Sequence, residues 1–232
     1  MAADNGGAFS AYSLADWWDE RGPFRALHAL NPVRLAYLRG QLGDIKGCRL
    51  ADVGCGGGLL SEALAVQGAR VDGFDEDSAV IEIARAHAKA RGIDQKRLIY
   101  HARAPSGRQR YDAVIALEVI EHVDDARGFV MQMAQLVKPG GRLVISTLNR
   151  SLASRIGAIF IAERVLGWLP PGIHEFKRFI KPHELVGLME SSGLQVMDTC
   201  GFVYRPLTRR WVLDPHDLRI NYVVSAKRSG GM

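Results

Sequence analysis

Four glycines at positions 54, 56, 57 and 58 constrain this chain more than any other feature, because they stand between a short apolar run and a helix-period segment. Glycine has no Cβ and reaches backbone angles closed to other residues. The stretch from Arg49 onward therefore reads as a strand that turns sharply into a helix and leaves bare peptide at the turn. The next strand, Arg70 to Phe74, closes on Asp75, 21 residues after Gly54. A carboxylate at that place accepts hydrogen bonds from both ribose hydroxyls of an adenosine-type ligand. A dinucleotide is the competing ligand, but its site wants a third glycine where this chain has Leu59. A sulfonium nucleoside carries no pyrophosphate and needs none there. The plainest alternative is a tight turn followed by a solvated aspartate.

The same alternation continues downstream. Strands are expected at Arg97 to His101, Tyr111 to Leu117 and Arg142 to Thr147, with helices between them opened by Ser78 and by Asp124-Asp125. Strands alternating with helices imply parallel β-α-β units and a doubly wound, mostly parallel sheet covered on both faces. Upstream, residues 12–42 look helical, broken at Gly22-Pro23 and re-entered at Asn31-Pro32, where Asn caps and Pro takes the first position. Past strand five the pattern changes to an apolar, aromatic segment at 151–181. A helix at Pro182 to Ser192 and strands at Leu194 to Phe202 and Arg219 to Ala226 then complete the sheet. The expected division is an N-terminal helical cap (1–48), a ligand-binding core (49–150), an inserted lid (151–181) and a C-terminal completion of the core (182–228).

A chain of 232 residues can bury a full core without metal or disulfide staples. Its three cysteines, Cys48, Cys55 and Cys200, lack C-x-x-C spacing, which fits a reducing compartment. The first residues carry neither the basic nor the apolar region of a secretory signal, so the expected location is cytoplasmic. Charge is uneven: residues 1–130 hold 16 Lys and Arg against 18 Asp and Glu, residues 131–232 hold 14 against 7. A basic C-terminal part can face an anionic membrane or a nucleic acid, or simply water.

Asp52-Val53-Gly54-Cys55-Gly56-Gly57-Gly58, then Phe74-Asp75, then Val137-Lys138-Pro139-Gly140-Gly141 resemble successive motifs of the class I methyltransferases. That resemblance implies a Rossmann-like, seven-stranded α/β sheet binding S-adenosylmethionine. By it, Gly54, Gly56 and their neighbours line the methionine part, Asp75 holds the ribose, and Leu117 lies beside the adenosine at the end of strand four. The stretch His101 to Arg108 departs from the pattern, lacking the acidic residues expected before strand four.

Strand four ends in Leu117-Glu118-Val119-Ile120-Glu121-His122 rather than in the D/N-P-P-Y/F of base amino-methyltransferases, which favours an oxygen acceptor over a nucleic-acid base. Glu118, Glu121 and His122 admit two kinds of chemistry. His122 can take a phenolic proton near neutral pH, with Glu118 and Glu121 beside it. Alternatively all three hold a divalent cation such as Mg2+ that chelates a catechol and lowers its pKa. In the plainer reading they only cap and buttress the following helix.

Outside the core, Trp17-Trp18-Asp19, Gly22-Pro23-Phe24, Asn31-Pro32-x-Arg34, Ser146-Thr147-Leu148-Asn149-Arg150, His174 to Pro182 and Asp217 to Tyr222 resemble the ubiquinone-biosynthesis O-methyltransferases, over about residues 12–226. The resemblance implies an isoprenoid-tailed phenol or catechol as substrate, Arg34 as a fork on the cofactor carboxylate, and a possible biosynthetic complex. A bilayer-dwelling substrate makes the apolar run from Leu152 to Leu169, with Arg155 and Arg164, a candidate peripheral contact with the inner face of an anionic membrane. It is interrupted by charge, which argues against a spanning helix. His174 is either a hydrogen-bonded structural histidine or a residue that reaches the acceptor ring. The remaining alternatives are a class I enzyme acting on RNA or another small molecule, and a scaffold that keeps the fold without the chemistry.

Overall fold

The computed structural model describes residues 12–107, 111–154 and 178–230. Two N-terminal helices, α1 (Leu14–Trp18) and α2 (Arg25–Leu42), precede β1 (Arg49–Val53), α3 (Leu59–Val66), β2 (Arg70–Asp75), α4 (Ser78–Ala90), β3 (Leu98–Ala102) and β4 (Tyr111–Leu117). A 3₁₀ turn at Ile120–His122 leads to α5 (Ala126–Leu136) and β5 (Val137–Leu148). The chain closes with α6 (Pro182–Ser191), β6 (Leu194–Arg205), β7 (Arg210–Asp214) and β8 (Asn221–Arg228).

All eight strands share one sheet in the order β3-β2-β1-β4-β5-β8-β6-β7. The first five are parallel, and β5-β8-β6-β7 are antiparallel. Alternate residues of each central strand feed opposite layers, as the two-residue strand period requires. Leu50, Ala113, Ile115 and Val144 pack beneath α2, α3 and α4, while Ala51, Val114, Ala116 and Ile145 pack beneath α5 and α6. The strand order reverses between β1 and β4, because β2 and β3 are laid down on one side of β1 and β4 on the other. A crevice therefore opens beyond the carboxyl ends of β1 and β4, between Gly54 and Glu118.

The sheet has eight strands, one more than expected. β7 is a short edge strand whose residues stay half-exposed or exposed, so it carries little apolar alternation; it exists because the Arg205–Arg210 turn folds it back on β6, with Tyr204 opposite Trp211. Three local expectations also change. α2 runs unbroken through Pro32, and Asn31, instead of capping a new helix, is buried and donates from Nδ2 to the Leu59 carbonyl at 3.1 Å. α4 is capped by Asp77, whose carboxylate accepts from the Ala79 and Val80 amides at 2.9 and 3.4 Å, not by Ser78. α5 passes directly into β5, so Lys138 to Gly141 belong to the strand rather than to a separate turn.

Most of the expected lid, residues 155–177, lies outside the described residues, and with it Arg155, Arg164, the apolar positions beyond Ser154, and His174. The chain after it is tied to the sheet: the Ile180 amide donates to the Leu148 carbonyl at 3.2 Å, and the Tyr222 hydroxyl donates to the Ile180 carbonyl at 2.9 Å. Among the described residues no helix is long and apolar enough to cross a membrane.

Candidate active site

The glycine loop sits at one wall of the crevice. Gly54 has φ +71°, and a Cβ there would stand 2.3 Å from Val119 Cγ2, so only glycine lets the end of β1 approach the end of β4 this closely. At Gly57 a Cβ would meet the Trp17 indole at 2.6 Å, which shows that α1 also leans on this loop. Part of the glycine requirement thus comes from protein neighbours as well as from bare peptide. The loop is pinned to the next strand by Asp75, whose Oδ2 accepts from the Gly56 amide at 3.0 Å and whose Oδ1 accepts from the Asp77 amide at 3.0 Å. Burial raises the Asp75 carboxyl, and those two amides oppose the rise by stabilising the anion. Each oxygen keeps a further lone pair, which suits a vicinal diol.

Arg34 stands on the opposite side. Asn31, one helical turn earlier on α2, fastens that face of the helix to the start of α3, and Arg34 then reaches across to an ion pair with Glu118. The guanidinium is buried, and its Nε has no hydrogen-bond partner among the described residues. An unpaired, buried donor on a planar fork fits a second carboxylate oxygen, such as that of an amino-acid ligand. Asp52, at the end of β1, is a further buried carboxylate: burial pushes it up to about 6, while the Ser61 hydroxyl donates to it at 2.5 Å. Together the orphaned Arg34 donor, the diol-compatible Asp75 and the close-packed glycine turn suit S-adenosylmethionine. Leu117, the last residue of β4, is buried in the core layer beneath α2, α3 and α4.

Glu118, at the end of β4, is held in the left-handed region at φ +54°, one of two non-glycine residues so held among the described residues. For a side chain larger than glycine such a backbone costs about 1–3 kcal/mol and must be held by its surroundings. Here the Glu118 amide donates to the Ser146 carbonyl at 3.1 Å, and Glu118 Oε1 accepts from the Ser146 hydroxyl at 2.8 Å and from Asn221 Nδ2 at 3.3 Å. Ser146 and Asn221 were not singled out as site residues from sequence. Their signal lay in the two matching motifs that contain them, at the end of strand five and near the C-terminus.

Glu118, Glu121 and His122 do not assemble as the proposed metal ligands. Glu118 is spent on Arg34, Ser146 and Asn221. Glu121 turns inward, where its Oε2 accepts from the Thr147 hydroxyl at 2.9 Å. Among the described residues no group of three or more His, Cys, Asp and Glu side chains could hold a metal ion. The E-x-x-E-H spacing suggested a cluster, but the left-handed backbone at Glu118 and the 3₁₀ turn after it send the two carboxylates to different partners, Glu118 to Arg34, Ser146 and Asn221 and Glu121 to Thr147.

The protonation of the pair is set by burial. Glu121 is only 3% exposed, and burial, helped by the nearby Glu118 carboxylate, pushes it up to about 8, so it is neutral at pH 7. His122 moves the other way: burial, then the Arg178 guanidinium, lowers it, so its imidazole is the free base at pH 7. The Glu121 shift has a stability consequence. The fold favours the protonated acid and the unfolded chain ionises near 4.5, so Glu121 contributes stability below that value that is lost as pH rises to about 8. Glu121→Gln, neutral at every pH, is expected to flatten the fall of Tm across that window relative to the parent chain. Parallel Tm–pH curves for the two proteins would contradict the assignment.

A methyltransferase-domain family model matches residues 25–199. The chain is 43% identical to the "Ubiquinone biosynthesis O-methyltransferase" of Sinorhizobium fredii, over 95% of this chain and 93% of that protein. It is 45% identical to the protein of the same name from a Methylobacterium species, over 92% and 90%. Among solved structures, magnesium protoporphyrin IX methyltransferase from Synechocystis, with bound S-adenosylmethionine, superposes with a TM-score of 0.66 at 19% identity, over 97% of this chain and 95% of that one. That likeness shows the class I methyltransferase fold.

Proposed function

The chain belongs to the ubiquinone biosynthesis O-methyltransferases, and from that premise we propose that it transfers the methyl group of S-adenosylmethionine to a hydroxyl of a polyprenylated phenol or catechol. The observation that carries the residue-level reading is the presence, at the switch point of the sheet, of a buried Arg34 Nε without a partner among the described residues together with Asp75 on the glycine turn.

When bound, S-adenosylmethionine would supply an electrophilic sulfonium methyl group, which the phenolic oxygen would take up as the sulfur–methyl bond is given up and S-adenosylhomocysteine leaves. Arg34 would bind the amino-acid carboxylate as a fork, Asp75 would accept from the ribose hydroxyls, Gly54 and Gly56 would let the chain pass close to the methionine, and Leu117 would pack beside the adenosine. His122, already neutral, accepts the phenolic proton on an imidazole nitrogen. Glu121, protonated and buried, buttresses the turn that carries His122, and Glu118 holds Arg34 in place. The residues' main contribution is to fix the reacting atoms in line and away from water.

The same reading takes residues 1–48 as a cap, 151–181 as a lid and 182–228 as the completion of the core. It places the protein at the inner membrane face. Support comes from the tailed substrate class, from the basic residues 131–232 and from Leu152, which is 76% exposed at the start of the lid segment. A biosynthetic complex is compatible with that placement.

The test is incubation of the purified chain with methyl-labelled S-adenosylmethionine and catechol, with and without a prenyl substituent. Label on a ring oxygen is expected. A protein that binds the cofactor yet labels no oxygen acceptor would refute the reaction class.

A further inference from the structure

A cavity of about 310 Å³ lies beside the crevice, between the β6–β7 hairpin and the chain leading into β8. Phe202, Tyr204, Trp211 and Ile220 form much of its wall, and Asn221 closes it on the side of the crevice. The strand register explains why these side chains converge. Phe202 and Tyr204 are two residues apart on β6 and share a face, Trp211 stands opposite Tyr204, and Asn221 stands opposite Phe202. That face looks toward α2: the Tyr37 and Phe202 rings meet edge-on at 6.0 Å, three residues along the helix from Arg34. Tyr204 and Trp211 form an aromatic pair with centroids 5.4 Å apart.

We propose that this cavity receives the first isoprene units of the acceptor's side chain, a role that rests on the methyl-transfer reading above. Three observations carry it. Asn221 belongs both to the cavity wall and, through its Nδ2, to the Glu118 carboxylate of the crevice, so a ring held at the crevice has its substituent next to the cavity. The wall is aromatic and aliphatic, and its charged members are already paired, Arg205 with Asp214 at 2.6 Å and Arg219 with Asp217 at 2.8 Å; a neutral, apolar occupant fits and an ionic one does not. The volume is at the small end for ligand sites, so it suits a few isoprene units and not a whole polyprenyl chain. The cavity extends to Arg205 and Pro206 at the hairpin turn, where Leu207 is fully exposed beside Arg209 and Arg210, and the remainder of the tail can leave there toward lipid.

The experiment compares kcat/KM for catechol itself with that for catechols bearing a dimethylallyl, a geranyl and a farnesyl group, in the parent chain and in Trp211→Ala, Trp211→Phe and Ile220→Trp. In the parent, kcat/KM should rise at least about tenfold from catechol to the geranyl compound and then level off, because each buried methylene adds to binding until the cavity is full. Trp211→Ala removes a wall and Ile220→Trp fills the space, so both should collapse the geranyl-to-catechol ratio toward one, whereas Trp211→Phe should restore most of it. Calorimetric binding of S-adenosylmethionine identifies the variants that have folded, and the two disruptive changes act in opposite senses, so one of them suffices. If the folded variants keep the parent's ratio, or the parent shows no rise with chain length, the cavity assignment is wrong while the reaction stands. If the parent methylates none of the catechols, the reaction itself fails and the cavity assignment falls with it.

Discussion

Asp75→Ala is expected to weaken S-adenosylmethionine binding about 100-fold or more while leaving a folded protein. In the reading above the carboxylate accepts from both ribose hydroxyls, and a hydrogen bond to a charged group contributes about 1.5–3 kcal/mol. Two of them correspond to at least about two powers of ten in Kd. The side chain also holds the Gly56 and Asp77 amides, so its loss loosens the loop. Asp75→Asn separates the two effects, because it keeps the shape and one acceptor oxygen and lacks the charge; it should fall between the parent and the alanine variant. Isothermal calorimetry reads the affinity and the far-ultraviolet spectrum reads the fold. An Asp75→Ala protein that is folded and binds the cofactor like the parent would remove the ribose assignment.

The second large effect falls on turnover. His122→Ala should lower kcat by about 10²–10⁴-fold, the usual range for a positioned base, with cofactor affinity kept within a few-fold. The pH profile makes the assignment specific. The free base is the active form, so kcat is lost as pH falls through the His122 pKa, which burial and Arg178 hold below the ordinary imidazole value. The parent should therefore show an acidic limb displaced below about 6.5, flat through neutrality. That limb should vanish in His122→Ala and persist in Glu121→Gln, because Glu121 is the neutral acid on this side of about 8. An acidic limb unchanged in His122→Ala would assign the base elsewhere, Glu118 being occupied by Arg34, Ser146 and Asn221.

The parallel half of the fold was legible because it is written in local pattern. Each strand there is a short apolar run, three of them (β1, β2 and β4) closed by a glycine or an acid, and each helix has its own period. The antiparallel half was only partly legible. β7 is an edge strand with no buried stripe of its own, and what makes it a strand is the partner that Tyr204 and its neighbours present. Local capping rules failed where tertiary contacts offered something stronger. Asn31 had the chemistry of a cap, yet the Leu59 carbonyl, 28 residues away, takes its amide and lets α2 continue through Pro32.

By itself the sequence determined the glycine turn, the acid that follows it on the next strand, the α/β class and the family, because these depend on residue type and spacing along the chain. The roles within the acidic cluster emerged only with long-range packing. Glu118 meets Arg34 across 84 residues and Asn221 across 103, and Glu121 stays protonated because the completed sheet excludes water from it. Charge pairing and pKa are properties of distance and burial, and neither exists until distant segments have packed together.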